Sequence, residues 1–140
     1  MADKAREDGA SILAGGQVAE GDGWYYRPTV LTGLRQDLEI VQEEVFGPAL
    51  CCLPHDELDD VVAAANRTAY GLAASIWSND LSAIHSLIPR LNAGTVWVNC
   101  HNLLDPPLPF GGVGQFGLGR EMGRAAVESY TETKSVRMLS

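Results

Sequence analysis

Gly112, Gly114 and Gly117 stand at the Gly-x-Gly-x-x-Gly spacing of a dinucleotide-binding turn, and Glu132 lies where the acidic residue of that fingerprint would fall. A turn of this kind presents backbone N–H groups to a pyrophosphate at a helix start. It works only when a buried strand feeds the first glycine. Here the feed is Asp105-Pro106-Pro107-Leu108-Pro109, whose prolines exclude a central strand. After Gly119 the chain has room for one helix and one strand, less than the half-sheet on which a dinucleotide lies. The spacing is therefore read as a decoy, and the loop as a tight path through a crowded passage or the cradle of some other ligand.

Cys100 beside His101 suggests a nucleophile and its base. Successive strand side chains point to opposite faces, however, so the two pair only if the strand has already ended. A packing role for Cys100 is the reading this favours. His55, His85 and His101 lack the clustered spacing of a metal site. Glu43 and Glu44 could do acid–base or hydrogen-bonding work, but in an extended segment only one of them faces a given site. The alternative is a solvated pair on the surface.

Several elements must position these groups. Ala2 to Asp8 reads as the tail of a helix closed by Gly9, too short to stand without something upstream. Ser11 to Ala14, Trp24 to Tyr26 and Thr29 to Leu31 read as strands, and Glu39 to Val41 as a short extended piece. Ala49 to Leu53 is an apolar strand, and Asp56 is placed to cap a helix carrying Leu58, Val61, Val62 and Ala65. Leu72 to Trp77 is the next strand. Asn79 or Asp80 caps a helix carrying Leu81, Ile84, Leu87, Ile88 and Leu91, which Pro89 shortens and Gly94 closes. Thr95 to Val98 completes a strand–helix–strand–helix–strand order, which implies crossover helices and a parallel sheet, an α/β fold. Asn99 to Gly119 is an irregular loop longer than compact domains usually carry, and Leu103, Leu104, Leu108 and Phe110 argue against disorder. Arg120 to Glu128 reads as a helix. Tyr130 to Met138 reads as a polar final strand that pairs with another sheet or frays.

With 140 residues the chain is one domain by length and buries a core without cross-links. Ten basic against eighteen acidic residues give a net charge of −8, with no basic run interleaved with aromatics. Nucleic-acid and anionic-membrane binding are disfavoured, and solubility is implied. Three cysteines without a disulfide framework, no membrane-length apolar run and a charged start fit a reducing, cytoplasmic setting.

Four ordered motifs bring these pieces together. They are Glu43-Glu44-Val45-Phe46-Gly47-Pro48, Asn66 to Leu72, Asn92 to Asn99, and Pro109-Phe110-Gly111-Gly112 with Gly117-Leu118-Gly119-Arg120-Glu121. In order and spacing they resemble the C-terminal third of the aldehyde dehydrogenase superfamily, and Asn102 to Asp105 before Leu108-Pro109-Phe110 looks most like phenylacetaldehyde dehydrogenases. The resemblance implies an aldehyde-dehydrogenase-like α/β fold with a parallel sheet and crossover helices. Residues 1–129 would be an incomplete part of the catalytic domain, and residues 130–140 an oligomerisation strand and tail that joins a neighbouring subunit's sheet in a homo-oligomer. It implies oxidation of a small-molecule aldehyde to a carboxylic acid with NAD or NADP as cofactor. By the same resemblance Glu44 binds the nicotinamide ribose hydroxyls and Phe46 packs by the nicotinamide. Phe110 and Leu104 line the aldehyde tunnel. The family's nucleophilic cysteine, its general-base glutamate and its dinucleotide-binding domain have no match here, so the chain alone is expected to be inactive. An interaction module derived from such an enzyme is the competing expectation. Phe116 stands where the family usually has Ser.

Overall fold

The computed structural model describes residues 1–139; Ser140, the last residue of the expected tail, lies outside them. The chain forms two units, residues 1–68 and residues 69–140.

In the first unit, helix α1 (Ala2–Glu7) leads through Gly9, at φ 101, into strand β1 (Ser11–Ala14). Strand β2 (Thr29–Thr32) pairs antiparallel with β1 and parallel with β3 (Ala49–Cys51). Leu31, on the central strand, is wholly buried, and Ala5, Ala10, Leu38 and Ile40 close around it. Thr29 is the buried polar residue of this sheet; its hydroxyl donates to the Arg27 carbonyl and accepts from the Gly16 N–H, so nothing is left unsatisfied. Glu39 to Val41 is not extended. It lies in a single turn, α2 (Glu39–Gln42), because Leu38, Ile40 and Val41 all reach the core only if the chain coils. Lys4 donates to Glu39 at 2.6 Å between the two helices. The contact holds the ammonium above its usual range and the carboxyl below its own, yet both groups are in water, where such pairs add little stability.

Trp24 to Tyr26 is not a strand either. Tyr26 makes one bridge, to Val18, while Trp24 is completely exposed and has no face to bury. Helix α3 (Leu58–Ala65) begins after Glu57, one residue later than an Asp56 cap requires, and no side chain caps it. Asp59 and Asp60 in its first turn oppose the positive end of the helix dipole instead.

In the second unit, β5 (Ala73–Ile76) and β6 (Thr95–Val98) pair in parallel through the crossover helix α4 (Leu81–Leu87), as the order of elements predicts. The predicted sheet is divided, however, because β3 pairs with β2 in the first unit's sheet. Asp80 caps α4, accepting from the Ser82 and Ala83 N–H groups at 2.8 and 3.1 Å. Asp80→Ala should destabilise the chain by about 1 kcal/mol, read as a lower denaturant midpoint at unchanged m-value. A midpoint equal to wild type would show that water replaces the cap. Pro89 turns the helix into a short 3-10 segment, Ile88–Arg90, so Gly94 does not close it. Ile76, Ile84, Leu87 and Trp97 are the buried hydrophobic residues here.

Beyond β6 the long loop contains one predicted-irregular stretch that is ordered by pairing: β7 (Val113–Gly114) runs antiparallel to β4 (Tyr70–Gly71). The last helix, α5 (Gly123–Glu128), starts later than Arg120, because Glu121 is already paired with Phe110 and Met122 sits at φ 61. Residues 131–139 carry no strand; none of the strands among the described residues pairs with them. No helix among the described residues is long and apolar enough to cross a membrane.

Candidate active site

Glu44 and Phe46 occupy the connection between α2 and β3, in the first unit. The Glu43 N–H donates back to Glu39, which ends the helical turn, and Thr29 donates to the Pro48 carbonyl, which fixes the start of β3. Between these anchors both glutamates are exposed. The Glu44 carboxylate makes no hydrogen bond among the described residues. Phe46 is held at φ 50, a conformation few non-glycine residues adopt, and its ring is 90% exposed. An acceptor-only carboxylate and an aromatic face, two residues apart and both outward, suit a diol and a flat ring.

Phe110 and Leu104 belong to the second unit. Phe110 exchanges two backbone hydrogen bonds with Glu121, each 2.7 Å, and its half-buried ring lies nearly parallel to Trp97, with centroids 6.4 Å apart. Leu104 is 45% exposed. Phe110, Phe116, Leu72, Arg120, Met122 and Tyr130 border a cleft of about 780 Å3; Leu104 is not on it. The glycines around it are steric. A Cβ on Gly111 would meet the Arg120 Cδ and the Gly119 carbonyl, and one on Gly114 the Ala69 carbonyl. Arg120 secures the path by donating to the Gly112 and Gly119 carbonyls at 2.9 and 2.8 Å.

The decoy reading of the glycine spacing agrees with this geometry. β7 follows the first glycine of the fingerprint and contains the second, where a dinucleotide turn would need its strand before them. Phe116, in a glycine turn, does not point away from the protein; it is half-buried and edge-on to Tyr70 at 5.5 Å.

A comparison with family models matches residues 1–136 to the Aldehyde dehydrogenase family. The chain belongs to that family. It is 48% identical over 132 residues to the phenylacetaldehyde dehydrogenase of Pseudomonas fluorescens, covering 93% of this chain and 26% of that protein. It is 42% identical over 137 residues to the betaine aldehyde dehydrogenase of Rhizobium johnstonii, covering 96% of this chain and 28% of that protein. Among solved structures it resembles the NAD+ complex of the Bacillus cereus aldehyde dehydrogenase, with a TM-score of 0.92 and 43% identity, covering 96% of this chain and 28% of that one. The lactaldehyde dehydrogenase of Escherichia coli gives a TM-score of 0.92 at 33% identity, covering 99% of this chain and 29% of that one. The chain thus spans little more than a quarter of the length of the relatives it matches.

Within this aldehyde dehydrogenase segment, no group of three or more potential metal ligands occurs among the described residues. Cys100 makes no hydrogen bond to His101 among the described residues. The Nδ1 of His101 lies 2.9 Å from the Ser75 hydroxyl, and its ring is edge-on to Trp97 at 5.4 Å. Cys51, whose Sγ contacts the Ile40 carbonyl, has its thiol pushed up by burial, with the neighbouring Cys52 adding to the shift. The sequence reading missed Trp97 as a support for Phe110. The available signal was a buried indole on a strand, whose N–H must find an acceptor and here finds the Leu103 carbonyl at 2.8 Å.

Proposed function

We propose that this chain is the part of an NAD- or NADP-dependent aldehyde dehydrogenase that presents Glu44 and Phe46 to the cofactor and Phe110 and Leu104 to the aldehyde. The carrying observation is the pair Glu44 and Phe46: an unpartnered carboxylate and a strained, exposed ring whose placement packing within the chain does not explain. When bound, the nicotinamide would supply the hydride acceptor for a reaction in which an aldehyde and a water become a carboxylic acid with release of one proton. Glu44 accepts from the ribose hydroxyls, and Phe46 sets the plane of the ring. The apolar side chains at 104 and 110 favour an aromatic aldehyde, in keeping with the name of the Pseudomonas relative. Three free cysteines suit a reducing cytoplasm. Residues 130–140 join the sheet of another subunit in a homo-oligomer.

Substituting this chain for the matching segment of the Bacillus cereus enzyme tests the reading. The chimaera is expected to form reduced nicotinamide from phenylacetaldehyde, and Glu44→Gln to weaken NAD binding on the order of tenfold, the worth of one hydrogen bond to a charged group. A folded chimaera whose NAD affinity ignores Glu44→Gln would remove the cofactor assignment.

A second reading, a non-enzymatic interaction module, is favoured by residues 131–139, which expose Val136, Met138 and Leu139 without a strand partner among the described residues. Pull-down with an intact aldehyde dehydrogenase decides it; no association removes the module.

A further inference from the structure

The turn after β6 is tied down from three sides. Asn99, at φ 53, donates its backbone N–H to the Ile76 carbonyl, and its side chain both accepts from the Ser78 N–H and donates to the Ser78 carbonyl, each at 2.9 Å. Asn102, at φ 55, reverses the chain again, so that the Leu103 carbonyl returns to the Trp97 indole N–H. Two left-handed asparagines so close together need such anchors. Between them stands His101. Its Nδ1 meets the Ser75 hydroxyl, and its ring edge meets Trp97. Ser75 and Trp97 are register partners across β5 and β6, so the imidazole is seated on two adjacent strands at once.

Trp97 is therefore fixed by a hydrogen bond at its nitrogen, by the imidazole, and by the sheet. It is also the ring against which Phe110 lies. Leu104 follows directly from the carbonyl that the indole holds. One exposed histidine thus touches the indole that supports Phe110 and stands in the turn that leads to Leu104. We propose that His101 is a positioning residue for the aldehyde site, holding Trp97 and the turn from Asn99 to Leu103 so that Phe110 and Leu104 keep their places. Its meaning for substrate choice rests on the aldehyde reading of Phe110 and Leu104 given above. Its mechanical role does not.

The test uses the full chain in solution, with the three indole N–H signals followed by NMR. His101→Ala should speed hydrogen exchange at the Trp97 indole on the order of tenfold and shift the Phe110 ring signals. The indoles of Trp24 and Trp77, both exposed, should not change. His101→Asn keeps a polar atom near the place of Nδ1 and should restore part of the protection. Ser75→Ala removes the same hydrogen bond from the other side, and serves if His101→Ala fails to fold. A folded His101→Ala chain with unchanged Trp97 exchange would overturn the proposal. So would an equal acceleration of all protected amides that follows a fall in melting temperature, because that is a general stabilising contact. Phenylacetamide, an unreactive probe, separates this from the aldehyde reading. If His101→Ala releases Trp97 while phenylacetamide fails to inhibit the folded wild-type chimaera with the Bacillus cereus enzyme, the positioning role stands and the aldehyde reading fails.

Discussion

Gly94→Ala is expected to destabilise the second unit severely. A Cβ at this position would lie 1.7 Å from the Gly111 carbonyl oxygen and 2.7 Å from its carbon, where no side-chain rotation can relieve the overlap. Both partners are also pinned. The Gly94 N–H donates to the Gly71 carbonyl at 3.0 Å, and Gly111 follows the Phe110–Glu121 bridge. Forced overpacking costs about 1–3 kcal/mol where side chains can shift, and backbone against backbone belongs at or above the top of that range. For a chain of this size that means a fall in melting temperature of roughly 10 °C or more. Gly119→Ala is the control, since nothing lies within 4 Å of its added methyl and its φ is not positive; it should change stability by no more than about 0.5 kcal/mol. If the two variants melt together, the strand end and the loop are not in contact.

The second large effect concerns turnover. The 140 residues alone, given NAD and phenylacetaldehyde, should produce no reduced nicotinamide above the uncatalysed rate. Enzymes of ordinary competence accelerate their reactions at least about a millionfold, and for an aldehyde that acceleration needs an activated nucleophile. The three cysteines do not provide one. Burial and Cys52 hold the Cys51 thiol protonated beyond its usual range. Cys52 is its immediate neighbour. Cys100 is followed by the one adjacent imidazole, which is engaged with Ser75 and Trp97. Absorbance that rises with the chain's own elution profile, and is lost with Cys100→Ala, would refute this and make Cys100 a nucleophile after all.

Where periodicity was long enough to distinguish helix from strand, it placed the elements well. The run from Leu81 to Leu87 was legible because its buried face and its Asp80 cap agree, and Thr95–Val98 because its residues are half-buried or buried. Glu39 to Val41 was not, since three residues fit either period and only the position of Leu31 and Ala5 decides which is used. Trp24 to Tyr26 has strand propensity, but propensity reflects a half-buried surface that this segment lacks. At the candidate site, the motifs around Glu44, Phe46 and Phe110 carried the family resemblance, which the match over residues 1–136 bears out. The approach of Gly94 to Gly111, the seating of Phe116 on Tyr70 and the link from Ser75 through His101 to Trp97 join residues far apart in the chain. No local pattern encodes contacts of that range.

The pairing of Phe110 with Glu121 has a consequence for how such a site diversifies. The backbone of residue 110 is located by two main-chain hydrogen bonds, which any residue except proline can supply. Its position is thus inherited independently of its side chain. Successive substitutions at 110 can trade ring for aliphatic, or large for small, while the main chain stays in register, so in the proposed aldehyde role this position can drift among substrates through folded intermediates. Gly111 and Gly112, one step along, have no such latitude, and variation there should be purged before any substrate is met.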